Sequence, residues 1–367
     1  MLLTLNQKSS GRELMKLSTK IGLVSAAAAI ALAATSAQAD RVRWKLHSAW
    51  GSTLPHLGTS GVRFSKTVDE MTGGEMQLKF FEPGALIPAN EGFDATSKGS
   101  VESAWTTAGY DVGKAPFLAF FTSVPFGPSY GEFFAWKVFG GGNEIQQKFY
   151  ADNNIKQMDC FAIGPETSGW FRKEIKELDE LRGMKMRFFG LGARVMQKIG
   201  VSTQLLAAGD IFPALEKGVI DATEFSMPAM DIKLGFYQVA KLNYFPGWHQ
   251  QTSVSQILIN MDKWKSLTDA QRRVLEVACG ESIHNTYAET EAVNPGAMVE
   301  MGEKFGVKTM RWRDDQLAVF EQAWLDVLAE DAQKDAKFKE VADSYLAFRK
   351  SYSKWGQAQA LKATYLK

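Results

Sequence analysis

Val42, Trp44 and Leu46 alternate with Arg43 and Lys45, the two-residue period of a half-buried strand. Val62, Phe64, Val68 and Met71 then recur at helical spacing within Gly58 to Met71, and Gly73-Gly74 stops that helix. Met76 to Phe81 alternates again as a strand. Glu91 to Lys98 reads as a helix and Val101 to Thr106 as a third strand. This β-α-β-α-β order predicts a parallel sheet with helices on its faces.

The pattern restarts with a strand at Met158 to Ile163. Leu178 to Arg182 leads into a strand at Met184 to Phe189, and Gly190-Leu191-Gly192 turns into a helix at Ala193 to Ile199. Ile211 to Lys217 is a short helix stopped by Gly218, and Asp221 to Phe225 returns as a strand. Two α/β halves leave a cleft between them, and open α/β sheets bind ligands at the carboxyl ends of their strands. Beyond Ser266 the chain reads as mostly helical, with Thr268 as the N-cap of Asp269 to Cys279. In the tail, Val341, Tyr345, Phe348, Tyr352 and Trp355 are spaced 4, 3, 4, 3. That seam suits either a helix packed on its own domain or a partner helix in a dimer.

The start of the chain changes the picture more than its bulk composition does. From Met15, Lys16 and Lys20 precede an apolar run, Ile21 to Ala34, and Ala37-Gln38-Ala39 forms an A-x-A site. That order is a secretory signal over residues 1–39, and its apolar run is too short to span ~30 Å of hydrocarbon. Its removal takes away Lys8, Arg12, Lys16 and Lys20 against Glu13, which turns the formal charge from +1 to −2. No net basic field remains to attract nucleic acid. The remaining 328 of 367 residues exceed what one core usually serves, so two domains are expected.

Cys160 and Cys279 are the only cysteines. Export permits a disulfide, but the apolar neighbours Phe161, Ala162, Val277 and Ala278 favour two separate buried thiols. The common catalytic and nucleotide motifs (G-x-S-x-G, H-E-x-x-H, G-x-x-x-x-G-K-[ST] and G-x-G-x-x-G) do not occur. The four histidines, His47, His56, His249 and His284, show no ligand spacing and read as ordinary. Binding is favoured over catalysis.

Arg187 sits just before the carboxyl end of the apolar strand at Met184 to Phe189, where a guanidinium can grip a carboxylate through two parallel hydrogen bonds. A solvated strand position is the plain alternative. Glu166 and Glu224 each stand near the end of a β-segment beside aromatic residues, Trp170 and Phe225. Either is explained as a loop acid. Two carboxylates converging on a cleft would repel unless a cation lay between them or one held a proton, and oxygen donors suit a hard cation such as Ca²⁺.

Leu181-Arg182-Gly183-Met184-Lys185-Met186-Arg187 resembles an L-x-G-x-K-x-R strand, and Ala214 to Glu224 resembles an A-L-x-x-G-x-[VI]-D-[GA]-x-E segment. Both belong to the periplasmic solute-binding subunits of tripartite ATP-independent periplasmic (TRAP) transporters, the DctP family. Gly169 to Ile175, Lys233 to Tyr237 and Tyr244 to Trp248 resemble its branch that binds 2-oxo acids and lactate with a metal ion. The resemblance implies a two-lobed α/β periplasmic binding protein with a ligand cleft between lobes and a long C-terminal helix. It places Arg187 at the carboxylate-binding arginine. It places Glu166, Glu224 and the carbonyl of Phe225 as cation ligands, where the branch has Gln, Glu and Trp. Glu for Gln adds negative charge, favouring Ca²⁺ over Na⁺, and Phe225 for Trp changes the pocket wall. Trp50 and Tyr110 resemble the pocket aromatics of the N-terminal half, with core packing as the alternative.

The expected layout is a leader at 1–39, lobe I at 40–163 and 254–290, lobe II at 164–253 and 291–338, and a terminal helix at 339–367 that either packs on its own domain or joins a homodimer. The expected function is capture of a small monocarboxylate, such as pyruvate or lactate, for delivery to a TRAP membrane permease. The competing classes are a metal-free binder of another organic acid or a sulfonate, a sensor-linked binding protein, and an exported enzyme using the two carboxylates as acid and base.

Overall fold

The structure, a computed structural model, describes residues 41–361. The leader at 1–39 and the last six residues of the 339–367 segment lie outside the described residues. Two mixed sheets organise the chain. The first has the order β2-β1-β3-β10-β4, from β1 (Val42–Ser48), β2 (Met76–Phe81), β3 (Ser103–Thr106), β4 (Ile155–Ile163) and β10 (Ser253–Asn260). The second has the order β11-β9-β5-β8-β6-β7, from β5 (Gly169–Phe171), β6 (Lys185–Arg187), β7 (Ser202–Gln204), β8 (Ala222–Thr223), β9 (Leu242–Phe245) and β11 (Lys308–Arg311).

The expected parallel β1, β2 and β3 are present, with helices Leu57–Met71 and Gly92–Ser97 between them. Neither sheet is wholly parallel. β10 runs antiparallel to β3 and β4, and β5 runs antiparallel to β8 and β9. The reason is the path of the chain. β5 is the first strand reached on leaving the first sheet, and β10 is the strand that returns to it, so each enters against the local direction. Ser253 pairs with Ile163, so the outgoing and returning segments lie side by side.

Helix starts follow their capping chemistry. Thr268 accepts from Gln271 N–H while Gln271 returns a bond to Thr268 N–H, and helix Asp269–Glu303 runs well beyond the expected Cys279. That helix packs on β4, and the contact overturns the expectation of separate thiols: Cys160 and Cys279 form a disulfide. Their apolar neighbours reported burial correctly, but only the docking of helix on strand shows that the two sulfurs share one place.

In the terminal helix Ala336–Gln359, Val341 and Tyr345 are buried, with Tyr345 set against Phe120 and Trp136. Trp355 is 60% exposed and Leu346 45%. Phe348 also packs against this core, so within the seam it is Trp355 that stands exposed.

Candidate functional site

Arg187 ends β6, and Glu224 follows β8. The two strands are parallel neighbours with Arg187 opposite Thr223, and Glu224 N–H donates to Arg187 O at 3.1 Å. Both side chains thus leave the carboxyl end of the second sheet together. Glu166 comes from the segment joining β4 to β5, held by bonds from its N–H to Gln250 O (3.1 Å) and from Thr167 N–H to Ser226 O (2.8 Å). The loop after β9 closes over it. A Cβ on Gly247 would lie 2.1 Å from Glu166 O, so this approach requires glycine. Trp248, stacked on Phe126 and Phe320, anchors the loop and presents His249 and Gln250.

The charged groups meet without solvent. Arg187, Glu166, Glu224 and His249 are all buried. Arg187 Nη1 donates to Glu224 O (2.7 Å) and Oε2 (3.0 Å), and Phe189 N–H donates to the same Oε2 (3.0 Å). Arg187 Nε donates to Leu206 O at 3.4 Å, and its guanidinium lies between the rings of Phe225 and Phe189, 5.2 and 5.9 Å from their centres. Arg187 is thus not the free fork expected from its strand position: its bonds to the protein use Nε and Nη1, leaving Nη2.

His249 Nε2 lies 3.7 Å from Glu166 Oε2 and 3.5 Å from Glu224 Oε1. These are charge contacts too long for hydrogen bonds, and all three atoms are buried without a hydrogen-bond partner among the described residues. One donor atom from each residue falls within 4.8 Å of the others. Burial pushes Glu166 up to about 7 against the pull of His249. Burial also pushes Glu224 up, but Arg187, His249 and the Phe189 N–H outweigh it, and its carboxyl ends below the usual range. Burial lowers His249, yet the two carboxylates carry it to about 9. The unpartnered Glu166, Glu224 and His249 atoms are oxygen and nitrogen donors of the kind that fit a shared cation.

A cavity of about 30 Å³ adjoins this cluster, lined in part by Trp50, Tyr110, Glu166, Arg187, Phe189 and Phe225. Tyr110 OH accepts from Trp50 Nε1 at 3.1 Å, which keeps its own hydrogen free to donate. Glu224 and His249 do not line the cavity; they contact Arg187 and Glu166 and are fully buried. A larger cavity of about 840 Å³ lies between the loops Glu82–Glu91 and Leu205–Asp210, which come from the two sheets. All six residues named from the sequence, Arg187, Glu166, Glu224, Phe225, Trp50 and Tyr110, fall at this one place. His249 was missed, because the spacing of histidines along the chain says nothing about a loop that returns from β9.

Residues 47–335 match the DctP family, bacterial extracellular solute-binding protein, family 7. The chain belongs to this family. It is 35% identical over 321 residues to a monocarboxylate 2-oxoacid-binding periplasmic protein of Nostoc sp., covering 87% of each chain. A TRAP solute-binding protein of Bordetella bronchiseptica, described as a dimer with calcium and picolinate in its active site, superposes with a TM-score of 0.84 at 32% identity, over 87% of this chain and 94% of that one. A TRAP protein of Pseudoalteromonas atlantica with sodium and pyruvate superposes at 0.83 and 28% identity, over 87% and 97%. This DctP chain is a two-lobed periplasmic solute-binding protein of the TRAP type, a family that binds small organic acids for membrane permeases.

Proposed function

We propose that this chain binds a small 2-oxo or 2-hydroxy monocarboxylate, with pyruvate and lactate as the test cases, together with one cation, and surrenders both to a TRAP permease without chemical change. One observation carries the reading: two buried carboxylates with unpartnered oxygens meet beside a buried arginine, next to a small cavity lined by Trp50, Tyr110 and Phe225. With His249 neutral, as a cation at the two glutamates would leave it, ionised Glu166 and Glu224 carry more charge than Arg187 offsets, and a carboxylate ligand adds another negative group. A divalent cation between the two glutamates brings the sum to zero and offers the ligand a coordination site, so Ca²⁺ suits the pair better than Na⁺. The Phe225 carbonyl adds a third protein oxygen. Arg187 Nη2 and the Tyr110 hydroxyl meet the ligand carboxylate, and Trp50 and Phe225 form the walls.

We further propose that the lobes, 40–163 with 254–290 and 164–253 with 291–338, close by a hinge over the ligand and present a changed surface to the permease. The exposed face of helix Ala336–Gln359, with Leu346 and Trp355, joins a homodimer. Calorimetric titration of the chelator-treated protein with pyruvate and lactate, with and without Ca²⁺, tests the binding reading.

A further inference from the structure

His249 is a buried, unpartnered donor aimed at a pair of buried acids. Its side chain is fully enclosed, its Nε2 makes no hydrogen bond among the described residues, and the two atoms nearest to it in charge contact are the two glutamate oxygens that also lack partners. Separations of 3.5 and 3.7 Å fall within the roughly 3–4.4 Å that two donors can span on one ion bound at a little over 2 Å. The ring is not held by a bond through Nδ1, which is also unpartnered. Packing holds it, with Phe188 edge-on at 4.9 Å and Trp248 at 5.5 Å. A Cβ on Gly192 would come within 2.8 Å of the His249 Cβ, so the backbone there is close-packed as well.

We infer that His249 Nε2 is a fourth protein donor to the bound cation, the one nitrogen among oxygens, and a determinant of which cation the site takes. The inference rests on the cation reading above. A nitrogen donor adds little for Ca²⁺ or Na⁺, which prefer oxygen, but much for borderline divalent ions. A Glu166–Glu224–His249 set therefore raises the standing of Mn²⁺ and Co²⁺ against Ca²⁺, compared with a site built from oxygens alone.

The test measures pyruvate affinity in the presence of Ca²⁺, Mn²⁺ or Co²⁺ for the full protein and for His249→Gln, a variant that keeps bulk and polarity. The expected result is that His249→Gln lowers the Co²⁺-to-Ca²⁺ affinity ratio by about tenfold or more while Ca²⁺-dependent pyruvate binding persists. Pulsed paramagnetic resonance of the unmodified protein with Mn²⁺ and pyruvate gives a readout independent of any variant. Pyruvate has no nitrogen, so imidazole ¹⁴N coupling to Mn²⁺ is expected from His249. An unchanged affinity ratio with no ¹⁴N coupling, while Ca²⁺ still promotes pyruvate binding, overturns this inference and leaves the proposed function standing. Failure of every cation to affect pyruvate binding overturns both.

Discussion

Arg187 donates through a single nitrogen, Nη1, to both the main-chain oxygen and the carboxylate of Glu224, at 2.7 and 3.0 Å. Arg187 and Glu224, proposed above to hold the ligand and the cation, are therefore one buried unit. Removing the arginine strands Glu224 in a solvent-free place. Arg187→Ala is expected to abolish detectable pyruvate binding and to lower unfolding stability by ~3–5 kcal/mol. Titration calorimetry and denaturant unfolding read the two effects. Intact binding removes Arg187 from the site.

Gly109 and Phe189 set the contact between the lobes. Gly109 follows β3 in the first lobe and Phe189 follows β6 in the second, and a Cβ on Gly109 would lie 2.0 Å from the Phe189 ring. In the proposed hinge motion, separating the lobes relieves that clash, so its cost falls on the form in which Gly109 meets Phe189. Gly109→Ala should weaken pyruvate binding by roughly 5- to 100-fold, the equivalent of ~1–3 kcal/mol of overpacking, with little change in the stability of the ligand-free protein. An equal loss of ligand-free stability, with affinity unchanged, would show that the contact does not report closure.

The disulfide joins β4 to the long helix across a separation of 119 residues. Replacing Cys160 and Cys279 with alanine should cost ~2–5 kcal/mol of stability. Thermal unfolding of the double variant, and of the native protein with and without reductant, checks this. Insensitivity of both to reductant or replacement contradicts the expected contribution.

Asp111 offers a pH signature away from the cation cluster. It is buried, and its Oδ2 has no hydrogen-bond partner among the described residues. Burial raises its carboxyl from 3.8 to about 8, with Lys114 pulling down and Asp94 pushing up. The folded state keeps this proton over a range where the unfolded chain has lost it. Stability from this group is therefore present below about pH 4 and declines as pH rises toward 8, at up to ~1.4 kcal/mol per pH unit. Asp111→Asn should flatten that decline in denaturant unfolding between pH 5 and 8; an identical slope in both proteins refutes it.

Periodicity along the chain was enough to locate β1, β6 and the helices between strands, since Trp44, Leu46 and Met186 face a core at two-residue spacing. Local pattern placed Arg187 and Glu224 at strand ends, but left a solvated position and a loop acid open, and their proposed roles came from the family resemblance. Three features were not legible. The direction of β5 and β10 depends on where the chain crosses between sheets. The Cys160–Cys279 bond depends on a helix docking onto a strand. His249 depends on a glycine-bearing loop folding back over Glu166. Each is a meeting of segments distant in sequence, and no local pattern encodes such a meeting.

The central claim is that a cation between Glu166 and Glu224 completes the site for a carboxylate. Its most direct test is calorimetric titration of chelator-stripped protein with pyruvate at neutral pH, before and after Ca²⁺ is restored. Restoring Ca²⁺ is predicted to tighten pyruvate binding by about 100-fold or more, the gain from a charge held in a water-free site. Equal affinity in both conditions would contradict the account, and would mean that Arg187 and a protonated His249 suffice to hold the ligand.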